Sequence, residues 1–201
     1  MKAAAVLAVI VALFGGASLA LQGPLPGDAA LTLGLQGLLG PRPAWAGWLT
    51  NTAKAPLLWG TLVLAGGLGW WSAGLRGAVG VPLAYGLAFM ADKGLRAVLF
   101  VPRPDPASVA VADPAASSGL PSTFGLVYGA MFGAALLAGG SQRPRIAAQC
   151  LAGVLLAGGA TARIALGGHW ASQMIASTAL GLLLALAALA ITGAGWRARQ
   201  G

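Results

Sequence analysis

Three short stretches of the sequence combine residue types that bind and transfer phosphate. The first runs from Lys93 through Arg96 to Arg103, which lies between Pro102 and Pro104. Proline restricts its own backbone and that of the residue before it, so the Arg103 guanidinium is expected on a rigid, extended segment. A planar guanidinium binds phosphate through two parallel N–H donors. The simpler alternative for Lys93 and Arg96 is that both snorkel from a helix end towards lipid head groups.

The second stretch, Pro121-Ser122, opens an apolar segment. Proline suits the first turn of a helix. The free N–H groups of that turn, the helix dipole and the Ser122 hydroxyl would together bind an anion. Taken alone, the pattern predicts no more than a helix start.

The third stretch holds Arg163 and His169, the only histidine of the chain. Gly167 and Gly168 interrupt a helix just before His169, which places the imidazole at the start of the next helix. Gln173 follows one turn later and is predicted to reach the second ring nitrogen. A lone histidine at a membrane surface is more often incidental than catalytic. Two arginines and an anion-binding helix start nearby favour a catalytic role.

The elements that position these residues are built for lipid. The chain has 201 residues, of which 58% are hydrophobic and 8% charged, and its mean hydropathy is +0.81. A soluble domain of this composition would expose large apolar patches. Apolar runs fall at about 3–21, 55–71, 78–100, 121–140, 146–166 and 170–193. The sequence predicts an all-α, polytopic membrane bundle of about six transmembrane helices, with one domain over residues 1–201.

The net charge of +8 does not indicate a nucleic-acid partner, because the basic residues stand singly between apolar runs and form no stripe. The 32 glycines suit helices that pack closely in lipid. Cys150 is the single cysteine, so no disulfide within the chain is possible.

Six spans place both termini on one side of the membrane. The basic residues of short, plain loops mark that side as cytoplasmic. The three stretches then face the exterior or periplasm of what we expect to be a bacterial plasma membrane. Residues 22–53 are interpreted as an exterior loop with an interfacial helix. The first run also resembles a signal peptide ending at Ser18-Leu19-Ala20, so it is either the first span or a cleaved leader.

The order Arg-x6-Arg-Pro, Pro-Ser, Arg-x5-His resembles the signature of the type-2 phosphatidic acid phosphatase superfamily, the lipid phosphate phosphatases, over a motif region of about 93–173. The resemblance implies a six-span enzyme that acts on lipid phosphates from the exterior face without a metal or cofactor. It implies that His169 is a nucleophile forming a phosphohistidine and that Gln173 stands in the place of its orienting aspartate. The implied phosphate-binding residues are Arg96, Arg103, Ser122 and Arg163, with Lys93 one turn before Arg96.

The sequence departs from the family pattern at the proton donor. Phe124 stands where the family has its general-acid histidine, and Gln173 replaces the aspartate. General acid catalysis contributes about 10²- to 10⁴-fold, so hydrolysis of an alkyl monoester would suffer most. A diphosphate expels a phosphate monoester, which is already a stable anion, and a polyprenyl diphosphate is therefore the preferred substrate. A replacement acid would be Asp105, Asp113 or water.

Two functions follow from the sequence. The first is a membrane phosphatase of a lipid phosphate or diphosphate. The second is a catalytically degenerate relative that binds anionic lipid head groups without turnover. A transporter fits less well, because polar residues at mid-membrane are scarce. Membrane lipids are the expected partners, and the oligomeric state is left open.

Overall fold

A computed structural model describes residues 2–138 and 143–195, and its regular structure there consists of helices. In chain order these are α1 Lys2–Leu21, α2 Asp28–Leu39, α3 Ala44–Asn51, α4 Leu57–Val98, α5 Thr123–Leu137, α6 Arg143–Ala165 and α7 Ala171–Ile191. Helix α1 contains a π-helical turn at Val11–Gly15.

Helix α4 is two antiparallel arms rather than one rod. Its 42 residues are broken at Ala73 and Gly74, where Gly74 has a φ of 64°. A Cβ added at Gly69 would lie 2.7 Å from the carbonyl oxygen of Gly77, although residues eight apart in a straight helix are about 12 Å apart. The chain therefore reverses at residues 73–74, and the two arms cross where both backbones lack a side chain.

Within residues 2–138 and 143–195, four helices are long and apolar enough to cross a membrane, namely α1, α4, α6 and α7, and α5 is a shorter apolar helix. Because α4 supplies two arms, these helices form six apolar rods. They coincide within a few residues with the six predicted runs. The prediction of an all-α membrane bundle of about six helices is confirmed.

Helix α5 is the centre of the bundle. Residues 124–135 are all buried, and α5 packs against both arms of α4 and against α6 and α7. Glycines on α5 and α7 allow the closest approach: a Cβ at Gly181 would lie 2.8 Å from the backbone nitrogen of Ala130. Helix α1 lies against α7, with Gly15 facing Ala176.

Three connections converge at one end of the bundle. They are residues 22–56, which carry α2 and α3, the long loop 99–122, and the short turn 166–170. Two short helices therefore replace the single interfacial helix predicted for the first connection. Buried hydrogen bonds tie the connections together, including one from the Gln36 side-chain amide to the carbonyl oxygen of Ala165 (3.0 Å). Every residue of the three chemical stretches lies in or next to these connections.

Candidate active site

A polar cavity of about 290 Å³ lies where the three connections meet. Each connection contributes to its lining, and so do the first residues of α5 and the last turn of α6. The charged and catalytic candidates that line it are Lys54, Arg103, Asp113, Arg163 and His169. The first and third stretches that the sequence singled out therefore supply residues to one cavity, and Thr123 and Phe124, which directly follow Pro121-Ser122, line it as well.

His169 is buried in the turn between α6 and α7, with 1% of its surface exposed. Its Nδ1 lies 2.8 Å from the carbonyl oxygen of Gly119. A carbonyl only accepts hydrogen bonds, so Nδ1 carries the proton and Nε2 is left with a free electron pair. Nε2 lies 3.2 Å from Nη1 of Arg103, which donates to it. The ring nitrogen suited to attack phosphorus therefore points towards the cation that would hold the phosphate.

The pKa of His169 is held well below its usual value of 6.5. Burial is the main cause, and the positive charges of Arg163 and Arg103 lower the pKa further. The Gly119 carbonyl opposes them, because it accepts a hydrogen bond that stabilises the charged ring. The ring is neutral at pH 7, which is the protonation state that a nucleophile requires.

Arg103 crosses the cavity from the rigid Pro102-Pro104 segment. Its Nε donates to the Ser117 carbonyl (2.8 Å), its Nη2 to the Ser117 hydroxyl (3.0 Å) and its Nη1 to the Gly168 carbonyl (3.0 Å). Burial, and then repulsion from Arg163, lower the pKa of Arg103 to about 10, so it stays charged at pH 7. An anion in the cavity would relieve both effects.

Arg163 reaches the cavity from the last turn of α6. Its guanidinium lies against Gly168, where an added Cβ would stand 2.8 Å from Cζ. Its Nε is buried and has no hydrogen-bond partner among the described residues. A buried donor without a partner costs about 1–3 kcal/mol, and a phosphate oxygen in the cavity would satisfy it. Arg163 thus has the environment of an anion-binding group.

Lys54 and Asp113 also line the cavity, and both side chains are exposed towards solvent. The segment before Lys54 is fixed by a hydrogen bond between Thr52 and Tyr128 and by the Thr61 hydroxyl, which donates to the Thr52 carbonyl (2.8 Å). Sequence reasoning missed Lys54, because a single lysine between two alanines carries no signal of its own.

Phe124 occupies the wall of the cavity at the start of α5. Its ring stacks on Tyr128, with 4.1 Å between the centroids, and its edge reaches Gly159, where an added Cβ would stand 2.6 Å from Cζ. The ring is 6% exposed. This position therefore contributes packing to the cavity and offers no proton.

Gln173 does not contact His169, which corrects the sequence prediction. Its Oε1 accepts from the backbone N–H of Trp170 (3.2 Å), and its Nε2 donates to the Pro102 carbonyl (2.8 Å). The side chain also lies beneath Gly119, where an added Cβ would be 2.6 Å from Nε2. The second nitrogen of His169 is held by the Gly119 carbonyl instead. Gln173 caps α7 and supports the loop that supplies that carbonyl.

Arg96 supports the loop wall and does not line this cavity, contrary to the predicted phosphate contact. Its Nε pairs with Asp92 (3.0 Å), and its two Nη atoms donate to the carbonyls of Ser118 (3.1 Å) and Pro121 (2.6 Å). The Thr123 hydroxyl completes the cluster by accepting from Arg96 and donating to Asp92. The donors of Arg96 are thus used to hold the chain on either side of Gly119.

Ser122 and Lys93 also lie elsewhere than the sequence predicted. Ser122 is fully buried; its hydroxyl caps α5 by accepting from Gly125 N–H (3.4 Å), and its own N–H donates to Ser177 (2.7 Å). Lys93 is exposed, with its ammonium 5.5 Å from the Phe89 ring centroid. Neither lines the cavity. The phosphate contacts predicted for them are therefore not part of this cavity.

Residues 77–197 match the sequence model of the PAP2 superfamily. This match covers more than half of the chain. The chain belongs to the PAP2 superfamily.

The fold agrees with that of a solved PAP2 protein. The crystal structure titled the first transmembrane PAP2 type phosphatidylglycerolphosphate phosphatase from Bacillus subtilis is similar, with a TM-score of 0.71 and 19% sequence identity over 95% of this chain and 96% of that chain. Among curated proteins, no sequence relative matches.

Because the chain belongs to the PAP2 superfamily, each position of its site can be compared with the family motif. Of the positions expected to bind phosphate or to attack it, Arg103, Arg163 and His169 meet at one cavity. The others, Arg96, Ser122 and Lys93, do not line it. The positions expected to donate a proton and to orient the nucleophile, Phe124 and Gln173, contribute an aromatic wall and a helix cap. Arg103, Arg163 and His169 therefore lie together at this cavity, whereas the positions of the family's general-acid histidine and aspartate hold no ionisable group.

Proposed function

We propose that this chain is an integral membrane phosphatase of lipid phosphates that prefers a lipid diphosphate, such as undecaprenyl or another polyprenyl diphosphate, and works through a phosphohistidine at His169. One observation carries the proposal. The Nε2 electron pair of a neutral, buried histidine faces a cavity flanked by two arginines, while its Nδ1 proton is held by the Gly119 carbonyl.

In the first step, Arg103 Nη1 transfers its hydrogen bond from His169 Nε2 to a phosphoryl oxygen, and the Nε2 electron pair that this releases attacks the terminal phosphorus. The Nε2–P bond forms, and the bond from phosphorus to the bridging oxygen breaks, leaving with its electron pair as the lipid monophosphate. Arg103 and Arg163 neutralise the charge on the phosphoryl oxygens. The positive charge that develops on the ring is stabilised by the Nδ1–H hydrogen bond to Gly119.

In the second step, water attacks the phosphohistidine. The new O–P bond forms as the P–Nε2 bond breaks, and the electron pair returns to Nε2. Asp113 is the acidic residue that lines the cavity among the described residues, and its carboxylate accepts the proton of the water. Asp105 is spent on a local turn, where it accepts from Ala107 N–H (3.0 Å), and does not line the cavity. Asp113 is therefore the general base of this step, in place of the family histidine whose position is occupied by Phe124.

The cation count of the cavity favours a diphosphate. Arg103 and Arg163 flank His169 and suffice for the phosphoryl group that is transferred. Lys54 lines the same cavity from the opposite connection, where it would bind the phosphate that stays on the lipid. The aromatic wall at Phe124 matters little for such a substrate, because its leaving group needs no proton at neutral pH.

The experiment that tests this function measures phosphate release by purified protein from four lipids: polyprenyl diphosphate, polyprenyl monophosphate, phosphatidic acid and phosphatidylglycerolphosphate. We expect the highest kcat/KM on the diphosphate and abolished release in His169→Gln. Lys54→Gln should raise KM for the diphosphate about tenfold, the value of one charge-assisted contact, and change the monophosphate less. Arg76→Gln, at the other end of the bundle, is the control. Release that survives in His169→Gln would remove the nucleophile and with it this mechanism.

The competing function is a lipid-binding protein without turnover. The observation that favours it is the packed ring of Phe124 at the family's acid position. Tight binding of polyprenyl diphosphate without phosphate release, lost in Arg103→Gln and Arg163→Gln, would support this second function over the first.

The same proposal includes orientation. We place the cavity at the periplasmic or exterior face of a bacterial plasma membrane and both termini in the cytoplasm, from the distribution of basic residues. In a Cys150→Ser background, a cysteine at Ser108 should react with an impermeant thiol reagent from outside the cell, and one at Arg76 should not. The reverse pattern would invert the topology.

A further inference from the structure

Helix α2 is amphipathic, but its polar face is buried against the protein and its apolar face is exposed, the reverse of a helix on a soluble protein. Asp28, Thr32 and Gln36 recur every fourth residue on one face and are buried, with 5%, 0% and 7% exposed. Four of its five leucines are exposed, and Leu38 is the most exposed at 84%, whereas Leu35 is half-buried against the core. An apolar outer face fits the acyl-chain layer of the bilayer, and a polar inner face requires partners in the protein.

The Asp28 end of α2 holds the start of α7. Its Oδ1 accepts from the backbone N–H of Ser172 (2.9 Å), and its Oδ2 accepts from the Ser172 hydroxyl (2.6 Å) and from Leu25 N–H (2.8 Å). Ser172 is three residues after His169. A buried carboxylate with three accepted hydrogen bonds fixes the position of the helix turn from which the imidazole projects.

The Gln36 end of α2 holds the other two connections. Its Nε2 donates to the carbonyls of Ala110 (2.7 Å) and Ala165 (3.0 Å), and its Oε1 accepts from Ala110 N–H (3.2 Å). Ala110 lies three residues before Asp113, and Ala165 lies two residues after Arg163. A single amide therefore joins the loop that carries the carboxylate to the helix end that carries the buried guanidinium.

We propose that α2 is a membrane-seated clamp, in which Asp28 and Gln36 are positioning residues that set His169 relative to Arg163 and Asp113. Neither side chain lines the cavity, so both act through the backbone segments that they hold. The consequence for turnover rests on the proposed function. The consequence for the geometry of His169 does not.

The chain offers a matched control on the same face. Thr32 is fully buried between the two positioning residues, but its hydroxyl donates only within α2, to the Asp28 carbonyl (2.9 Å). Thr32→Val keeps its shape and removes a polar group without touching either loop. Gln36→Leu removes the bonds of this side chain to the other elements. Asp28→Asn removes the charge and replaces one of the two accepting oxygens by an N–H donor. Ser172→Ala is a milder variant that loses the hydroxyl bond and keeps the backbone N–H, for use if Asp28→Asn fails to fold.

The readout is the ¹⁵N spectrum of the imidazole, which reports the tautomer directly. His169 is the only histidine, so protein labelled with ¹⁵N-histidine and purified without a histidine tag gives one pair of ring signals. We expect a single Nδ1–H tautomer at pH 7 in the wild type and in Thr32→Val. Asp28→Asn, Ser172→Ala and Gln36→Leu should give a mixture of tautomers or broadened signals. Wild-type spectra in all three folded variants would overturn the proposal, and so would an equal change in Thr32→Val.

Turnover provides the second arm. In vesicles, Asp28→Asn and Gln36→Leu should lower kcat about tenfold or more, since misplacement of reacting groups by an ångström costs about 10²-fold, while KM changes less than twofold. Loss of lipid affinity with unchanged kcat would contradict a positioning role. If the wild type releases no phosphate, the proposed function fails, and the imidazole spectra still decide the clamp.

Discussion

The two walls of the cavity differ in how much chemistry they carry. One wall holds Arg103, Arg163 and His169, whose polar atoms face one another at hydrogen-bonding distance or lie buried and unpaired. The other wall is the ring of Phe124, stacked on Tyr128 and packed against Gly159. In the function proposed above, the first wall binds and attacks phosphate, and the second offers no proton to a leaving group. The two walls therefore make separate predictions, one for binding and attack and one for acid catalysis.

The largest effect is expected at the cationic wall. Arg103→Gln and Arg163→Gln should each lower kcat/KM for a lipid diphosphate about 10²- to 10³-fold, because truncating one partner of a buried charge pair costs about 2–5 kcal/mol. Arg96→Gln should chiefly lower thermal stability, since its guanidinium holds the loop. Steady-state kinetics and melting curves on all three variants measure the contrast. Equal losses of kcat/KM in Arg96→Gln and Arg103→Gln would contradict the assignment of Arg103 to the cavity and of Arg96 to the support of the loop.

The aromatic wall predicts a gain. Phe124→His places an imidazole next to the leaving oxygen and should recover part of the 10²- to 10⁴-fold acid term for a lipid monophosphate, with a small change for the diphosphate. Phe124→Leu is the control that removes the ring without adding an acid. Adding Gln173→Asp should not help, because residue 173 is bound to Pro102 and Trp170 rather than to His169. Equal gains on both substrates would refute the leaving-group argument.

A smaller effect separates the two carboxylates near the cavity. Asp113→Asn should slow hydrolysis of the phosphohistidine about tenfold to 10²-fold, the lower range of general base catalysis, and should leave its formation unchanged. Rapid-quench kinetics should then show a burst of lipid product followed by slower turnover. Asp105→Asn removes a carboxylate from the neighbouring turn and should show no burst. If neither variant shows a burst, Asp113 is not the general base, and the proton of the attacking water passes to another water or to the phosphate itself.

The smallest predicted effect is on pH dependence. Burial and the two arginines lower the pKa of His169, so the ring stays neutral, and the nucleophile active, to a lower pH than an unperturbed imidazole with a pKa of about 6.5. Titration of the single ¹⁵N-labelled imidazole should give a midpoint below 6.5. In Arg103→Gln the midpoint should rise, because one positive neighbour is gone. A wild-type midpoint at or above 6.5 would mean that the ring is solvated or paired with an anion.

The sequence predicted the fold well because lipid-facing helices need long apolar runs. The sequence also predicted that the loops of Arg103 and His169 meet at one end of the bundle, and both residues line one cavity there, although Ser122 does not. The orientation of single side chains did not follow. Arg96 is three residues from Lys93, but only Arg96 meets the carbonyls of the 118–121 loop, and that contact depends on how the loop folds back. Gln173 has the spacing to reach His169, but the free N–H of Trp170 and the Pro102 carbonyl take both ends of its amide.

The most direct test of the central claim is to trap the covalent intermediate. Polyprenyl diphosphate carrying ³²P on its terminal phosphate is mixed with the protein, and turnover is stopped with alkaline detergent. We expect label on residue 169 that is stable in alkali and lost in acid, absent in His169→Gln and more abundant in Asp113→Asn. Phosphate release at a normal rate with no label on His169 in either the wild type or Asp113→Asn would contradict the account.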